Sequence, residues 1–217
     1  TTTKGSDVEG SVRQAIELVA AGAELVRITT PTVADAMAMG EVRRALEEQG
    51  IAIPLVADIH FSPPAALEAA RWVDKVRINP GNYCSTRETS SEEEYQAALV
   101  DMRERLAPLI AICRQRGVAI RIGVNHGSLA PRVVARYGAG PEGMVQSALE
   151  VVDICRQLEF HSIVISLKSS VPRAMVLANR LLAQRLDERG WNYPLHLGVT
   201  EAGEGEDGRV KSAIGIG

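Results

Sequence analysis

The sequence predicts an α/β fold, a parallel (β/α)8 TIM barrel of which six strands are visible in 217 residues, apparently incomplete at both ends. Three observations predict it. Short β-branched runs alternate with longer amphipathic stretches, the pattern of parallel strands joined by right-handed helical crossovers. Gly22, Gly50, Gly117 and Gly190 fall where helices would return to strands, as residues suited to a left-handed C-cap should. One face of every strand is polar near its C-terminal end, where this class of fold gathers its ligand.

The elements follow in order. The chain opens on TTTK and a helical pattern near residues 7–21, then a strand at 24–30 (ELVRITT) and a helix at 32–49. A strand at 53–60 (IPLVADIH), a helix at 63–71 and a strand at 75–82 (KVRINPGN) come next. Residues 83–94 (YCSTRETSSEEE) are polar and charged, and read as an exposed insertion capping a long helix at 91–116. Strands at 119–126 (AIRIGVNH), 162–169 (SIVISLKS) and 194–201 (PLHLGVTE) alternate with helices at 141–159 and 171–189. The Gly-rich acidic stretch 200–208 (TEAGEGEDG) reads as a flexible loop, and RVKSAIGIG as the start of a further helix. One strand is expected before Thr1 and another after Gly217. Residues 1–217 would then form one truncated substrate-binding barrel domain of a longer protein.

Composition narrows the partners. Hydrophobic residues make up 46% but aromatic residues only 4%, a balance suited to small-sided helices packed on branched strands. A net charge of −3 offers no nucleic-acid or membrane surface. No run of 18 apolar residues exists, and the first ten residues do not form a signal peptide. Cys84, Cys113 and Cys155 are odd in number and lack C-x-x-C spacing, so free structural thiols in a reducing cytosol are expected.

Residues i and i+2 of a strand share a side. One such set is apolar and should pack beneath the helices: Val26/Ile28, Ala57/Ile59, Val76/Ile78, Ile120/Ile122/Val124, Ile165/Leu167 and Leu195/Leu197/Val199. The other set is polar: Arg27/Thr29, Asp58/His60, Arg77/Asn79, Arg121/Asn125, Ser166/Lys168 and His196/Thr200. Barrel interiors normally hold packed aliphatic side chains, and burying a polar group without a partner costs roughly 2–7 kcal/mol. A mutually neutralising network accounts for one such pair more readily than for six. Arg27, Arg77, Arg121 and Lys168 outnumber Asp58 and Glu201, so the expected ligand is a small phosphate-bearing anion. His60 and His196 could donate to an oxygen or shuttle a proton. His126 sits in an N-H-G-S loop, while His161, at the start of a strand, should be structural. No His/Cys grouping has metal-ligand spacing. Glu201 stands where a general acid would be placed, and Glu204, Glu206 and Asp207 read as solvated.

The strings VADIHF (56–61), VRINPGN (76–82), RIGVNHGSL (121–129), SLKSS (166–170) and LHLGVTEAGEGEDGRVKSAIGIG (195–217) resemble the 4-hydroxy-3-methylbut-2-enyl diphosphate synthase family, IspG/GcpE. The likeness runs in order along the whole chain and points to the N-terminal TIM-barrel part of the plant-like long type. It implies reductive ring opening of 2-C-methyl-D-erythritol 2,4-cyclodiphosphate in non-mevalonate isoprenoid synthesis. It also implies a 4Fe–4S cluster held by three cysteines and a glutamate of a C-terminal domain. No motif here matches those ligands, so this fragment would bind no cluster and would be inactive alone. Ferredoxin or flavodoxin would donate electrons, and a homodimer is implied, located in the cytoplasm or a plastid stroma. By the same resemblance Arg27, Arg77, Arg121 and Lys168 grip the diphosphate. Asp58, His60, Asn79, Asn125, Ser166, His196 and Thr200 line the pocket, and Glu201 is the candidate proton donor or hydroxyl-orienting residue. A dihydropteroate-synthase-like barrel and a non-catalytic phosphate-binding domain remain as alternatives.

Overall fold

A computed structural model describes residues 1–3, 6–83, 88, 89 and 91–217. Its backbone contacts divide the chain into two compact units, Thr1–Ile78 with Arg105–Arg121, and Asn79–Glu104 with Ile122–Gly217.

The first unit contains α1 (Val8–Ala20), β1 (Val26–Thr29), α2 (Val33–Glu48), β2 (Leu55–Asp58), α3 (Pro63–Ala69) and β3 (Lys75–Ile78). It also holds the end of α5 (Glu92–Arg116) and the first residues of β4 (Ala119–Asn125). The strands lie in sequence order, and β1–β2 and β2–β3 are parallel. The register sets Thr29 opposite Asp58 and Asp58 opposite Arg77, which brings the polar ends of three strands level. Each helix start is fixed by a local side chain. Asp7 accepts from the Gly10 N–H at 2.9 Å, Thr32 and Asp35 form a capping box, and Ser62 accepts from the Ala65 N–H at 3.3 Å. The core is aliphatic: Val26, Ile28, Ala57, Ile59, Val76 and Ile78 are all at most 1% exposed.

The second unit contains α4 (Pro80–Tyr83), the remainder of α5 and β4, and a 3-10 turn (His126–Ser128). Then follow α6 (Pro131–Tyr137), α7 (Pro141–Gln157), β5 (Ile163–Lys168), α8 (Pro172–Glu188) and α9 (Gly205–Ile216). Here β4 neighbours β5. Asn179 of α8 donates to the Leu167 carbonyl at 3.1 Å, anchoring that helix to β5. Gly81 is packed so closely that a Cβ would lie 1.7 Å from the Ser128 carbonyl oxygen. Asn79 reinforces the junction, its Nδ2 donating to Ser128 Oγ at 2.8 Å and its Oδ1 accepting from the Gly81 N–H at 3.1 Å.

The expected helices recur within a few residues of their bounds, and Gly22, Gly50, Gly117 and Gly190 all take positive φ at the returns. Several expectations are corrected. Residues 194–201 form no strand. They carry one isolated bridge, Ile165 to Leu195, because Gly198 takes φ +153° and interrupts the pleat. Leu197, expected beneath a helix, is 39% exposed. The acidic loop is shorter than expected, since α9 begins at Gly205, where Glu206 and Asp207 favour its positive end. Two short helices start at Pro80 and Pro131, beyond those the pattern predicts, and proline suits the first helical turn. Tyr83, placed in an exposed insertion, is 2% exposed, whereas Glu88 and Ser91 are exposed as expected. Residues 84–87 and 90 of that insertion, Cys84 among them, lie outside the described residues. Among the described residues no helix is long and apolar enough to cross a membrane.

Candidate functional site

The first unit concentrates charge at its strand ends. Asp58, 5% exposed, closes β2 and faces three partners. Arg77 Nη1 donates to Asp58 Oδ1 at 2.9 Å, Arg27 Nε lies 3.5 Å from Oδ2, and His60 Nε2 lies 3.4 Å from Oδ1. Arg77 Nη1 also meets His60 Nε2 at 2.9 Å. Arg77 and Arg121 are each 4% exposed, while the Arg27 side chain is 47% exposed. One carboxylate thus orients a buried guanidinium and an imidazole, and a second guanidinium, that of Arg27, reaches in from solvent.

The charges shift one another's protonation. Burial would raise the Asp58 pKa, but the His60 hydrogen bond and the charges of Arg77 and Arg27 override it and hold the carboxyl far below its ordinary range. Burial, with Arg27 and Arg77 nearby, brings the Arg121 guanidinium down to about 10 against the pull of Asp58, so it stays charged at neutral pH. Among the described residues, Arg27, Arg77 and Arg121 converge on the Asp58 carboxylate. Guanidinium forks match phosphate oxygens bidentately.

The second unit holds the other expected residues in less uniform roles. The Asn79 side chain is committed to Ser128 and Gly81, and serves as a bracket for the loop after β3. Asn125 is half-buried at the end of β4, where its carbonyl accepts from Ser128 Oγ at 3.4 Å, and His126 is half-buried just beyond it. Ser166 is 1% exposed, and its Oγ has no hydrogen-bond partner among the described residues. Lys168 is half-buried, with its Nζ 3.8 Å from where a Cβ on Gly198 would stand, an ordinary contact distance. His196 and Thr200 are half-buried and tied to β5 and its following residue by backbone bonds, His196 N–H to Ile165 at 2.8 Å and Thr200 N–H to Ser169 at 3.2 Å. Glu201 is exposed and held in the left-handed region at φ 52°. A non-glycine residue there is uncommon and is often found at sites where a side chain must be aimed.

His161, expected to be structural, is exposed; its Nδ1 meets the Tyr193 hydroxyl at 3.0 Å, and Arg156 donates to the same oxygen at 2.9 Å. A buried network on α5, α6 and α7 escaped the sequence reading. Arg132 Nη2 donates to Glu150 Oε2 at 2.6 Å, and Tyr95 donates its hydroxyl to Glu150 Oε1. Its residues are spread over 55 positions with no shared periodicity, so no local signal could have found it.

A 4Fe–4S cluster needs several thiolates from neighbouring cysteines. Cys113 and Cys155 are buried, and burial pushes the Cys113 thiol up to about 12, which opposes the thiolate form a ligand must take. These described cysteines do not fit such a cluster.

A sequence profile of the GcpE TIM-barrel domain matches residues 1–217. The 4-hydroxy-3-methylbut-2-en-1-yl diphosphate synthase (flavodoxin) of Chlamydia muridarum is 52% identical over 222 residues, covering 100% of this chain and 37% of that protein. The protein of the same name from Akkermansia muciniphila is 50% identical, over 100% of this chain and 38% of its own length. That from Parabacteroides distasonis is 53% identical, over 97% of this chain and 35% of its own length. The chain spans a little over a third of these relatives.

Proposed function

The chain belongs to the GcpE TIM-barrel family, and on that premise we propose that it is the substrate-binding barrel of a 4-hydroxy-3-methylbut-2-enyl diphosphate synthase. The observation that carries this reading is the convergence of Arg27, Arg77 and Arg121 on Asp58 at the ends of neighbouring strands. The substrate is 2-C-methyl-D-erythritol 2,4-cyclodiphosphate, which takes up two electrons and two protons and is opened to the linear allylic diphosphate with loss of one water. Arg27, Arg77 and Arg121 bind the diphosphate oxygens, and Asp58 keeps Arg77 and His60 in place for them. In the second unit, resemblance to the family assigns substrate-binding roles to Lys168, Asn125, His196, Thr200 and Ser166, whose hydroxyl is without a partner among the described residues. Asn79 acts by shaping the loop between β3 and α4. Glu201 donates a proton to the departing oxygen or orients the hydroxyl that leaves. The cluster that the family's chemistry requires is assigned to none of the described residues, and no step is routed through it.

We assign the electrons to a flavodoxin, the donor in the relatives' names. A homodimer, the long-type architecture and a cytoplasmic setting complete the proposal. The relatives' bacterial sources and the share of their length outside this chain support the last two.

Isothermal titration with the cyclodiphosphate and with a pterin diphosphate tests the reading. The cyclodiphosphate should bind, and Arg121→Ala should weaken it by about 1.5–3 kcal/mol, the worth of a charged hydrogen bond. Binding of the pterin compound alone, or an unchanged dissociation constant in the variant, would overturn it.

A further inference from the structure

Phe61 is the next residue beyond the charged cluster, at the mouth of the loop that joins β2 to α3. Its side chain is 67% exposed, and its ring centroid lies 6.0 Å from that of His60, at an interplanar angle of 36°. The chain has only two phenylalanines, and the other, Phe160, is 4% exposed. Leaving a phenylalanine this open gives up much of the free energy that burial of such a side chain contributes. The position is nevertheless held firmly. Ser62 caps α3 one residue later, and Ile59, two residues earlier, is fully buried.

The groups gathered around Asp58 are charged or polar, and suit a phosphate. They offer nothing to a ligand's carbon atoms. We propose that Phe61 is the specificity-determining residue for the carbon skeleton, covering the apolar side of a compact organic diphosphate whose phosphates lie on the arginines. Covering that face also excludes water, which strengthens each guanidinium–phosphate contact beneath it. This assignment rests on the substrate reading given above.

Calorimetric titration of the wild type, Phe61→Ala and Phe61→Leu, each with the cyclodiphosphate and with inorganic pyrophosphate, separates the two ideas. Pyrophosphate carries the charge and no carbon. Phe61→Ala should weaken the cyclodiphosphate about tenfold and change pyrophosphate by less than about twofold. Phe61→Leu, which keeps most of the apolar area, should recover most of the loss. Equal weakening of both ligands would make Phe61 a structural prop for the loop and overturn the proposal, as would unchanged cyclodiphosphate binding in Phe61→Ala. Wild-type protein that binds pyrophosphate but not the cyclodiphosphate would overturn the substrate reading itself, and with it the role of Phe61.

Discussion

At the end of β2, buried side chains alternate with a carboxylate and an imidazole held by charged partners. Across residues 194–201, neither half of that pattern holds. Ile59 is fully buried and Asp58 is gripped by Arg77, whereas Leu197 is 39% exposed and Glu201 points from a left-handed backbone. The two regions differ in what surrounds the backbone. β2 is hydrogen-bonded between β1 and β3, so its pleat is imposed from both sides. The later segment is tied to β5 and Ser169 by a few backbone bonds and bends at Gly198. Ordered flanks make a rigid charge lattice, which suits the binding role proposed for it. A lightly held segment can instead aim a single group, which suits the role proposed for Glu201.

That division of labour can be broken at its chemical end first. In the full-length enzyme, Glu201→Gln should lower turnover by about 10²–10⁴-fold while leaving the cyclodiphosphate dissociation constant unchanged, as for a residue acting only in the chemical step. Steady-state kinetics alongside calorimetry would check this, and wild-type turnover would remove Glu201 from the mechanism.

The rigid end should answer in stability instead. Asp58→Ala leaves Arg77 buried without its carboxylate, and should cost about 3–5 kcal/mol in urea unfolding at pH 7. The folded-state pKa of Asp58 is depressed. Its contribution is therefore full above the unfolded value near 4, and is lost as pH falls through the folded one. The gap between wild type and variant should stay constant from about pH 8 to 5 and narrow only in stronger acid. A gap that already closes near pH 6 would show that Asp58 is not held ionised by its partners.

The smallest effect sharpens the contrast most directly. Ile59→Ala should destabilise by about 2–5 kcal/mol, and Leu197→Ala by less than about 0.5 kcal/mol. Similar costs at both positions would show that residues 194–201 are packed as firmly as a strand.

The sequence exposed the cationic cluster because period-two alternation and parallel register are both local consequences of strand geometry. Once Asp58 and Arg77 sit on one face of adjacent strands, their meeting follows from the register. Glycines at helix ends were legible for the same reason, since a positive φ leaves a direct trace in residue choice. Reading failed where the outcome depended on distant partners. The pattern LHLGV alternates as a strand does, but nothing local says that the chain bends at Gly198. Asn79 has the spacing of a pocket residue, and only its meeting with Ser128, 49 positions away, shows that its amide is already committed. The Arg132–Glu150–Tyr95 network was invisible for the same reason.

The near-contact of Gly81 with the Ser128 carbonyl has a consequence for cooperativity. The loop after β3 and the turn after β4 cannot each settle alone, because every added atom at position 81 would push the other segment aside. Opening either should release both together, so their amide protons are expected to exchange with solvent at matched rates, as a single foldon would.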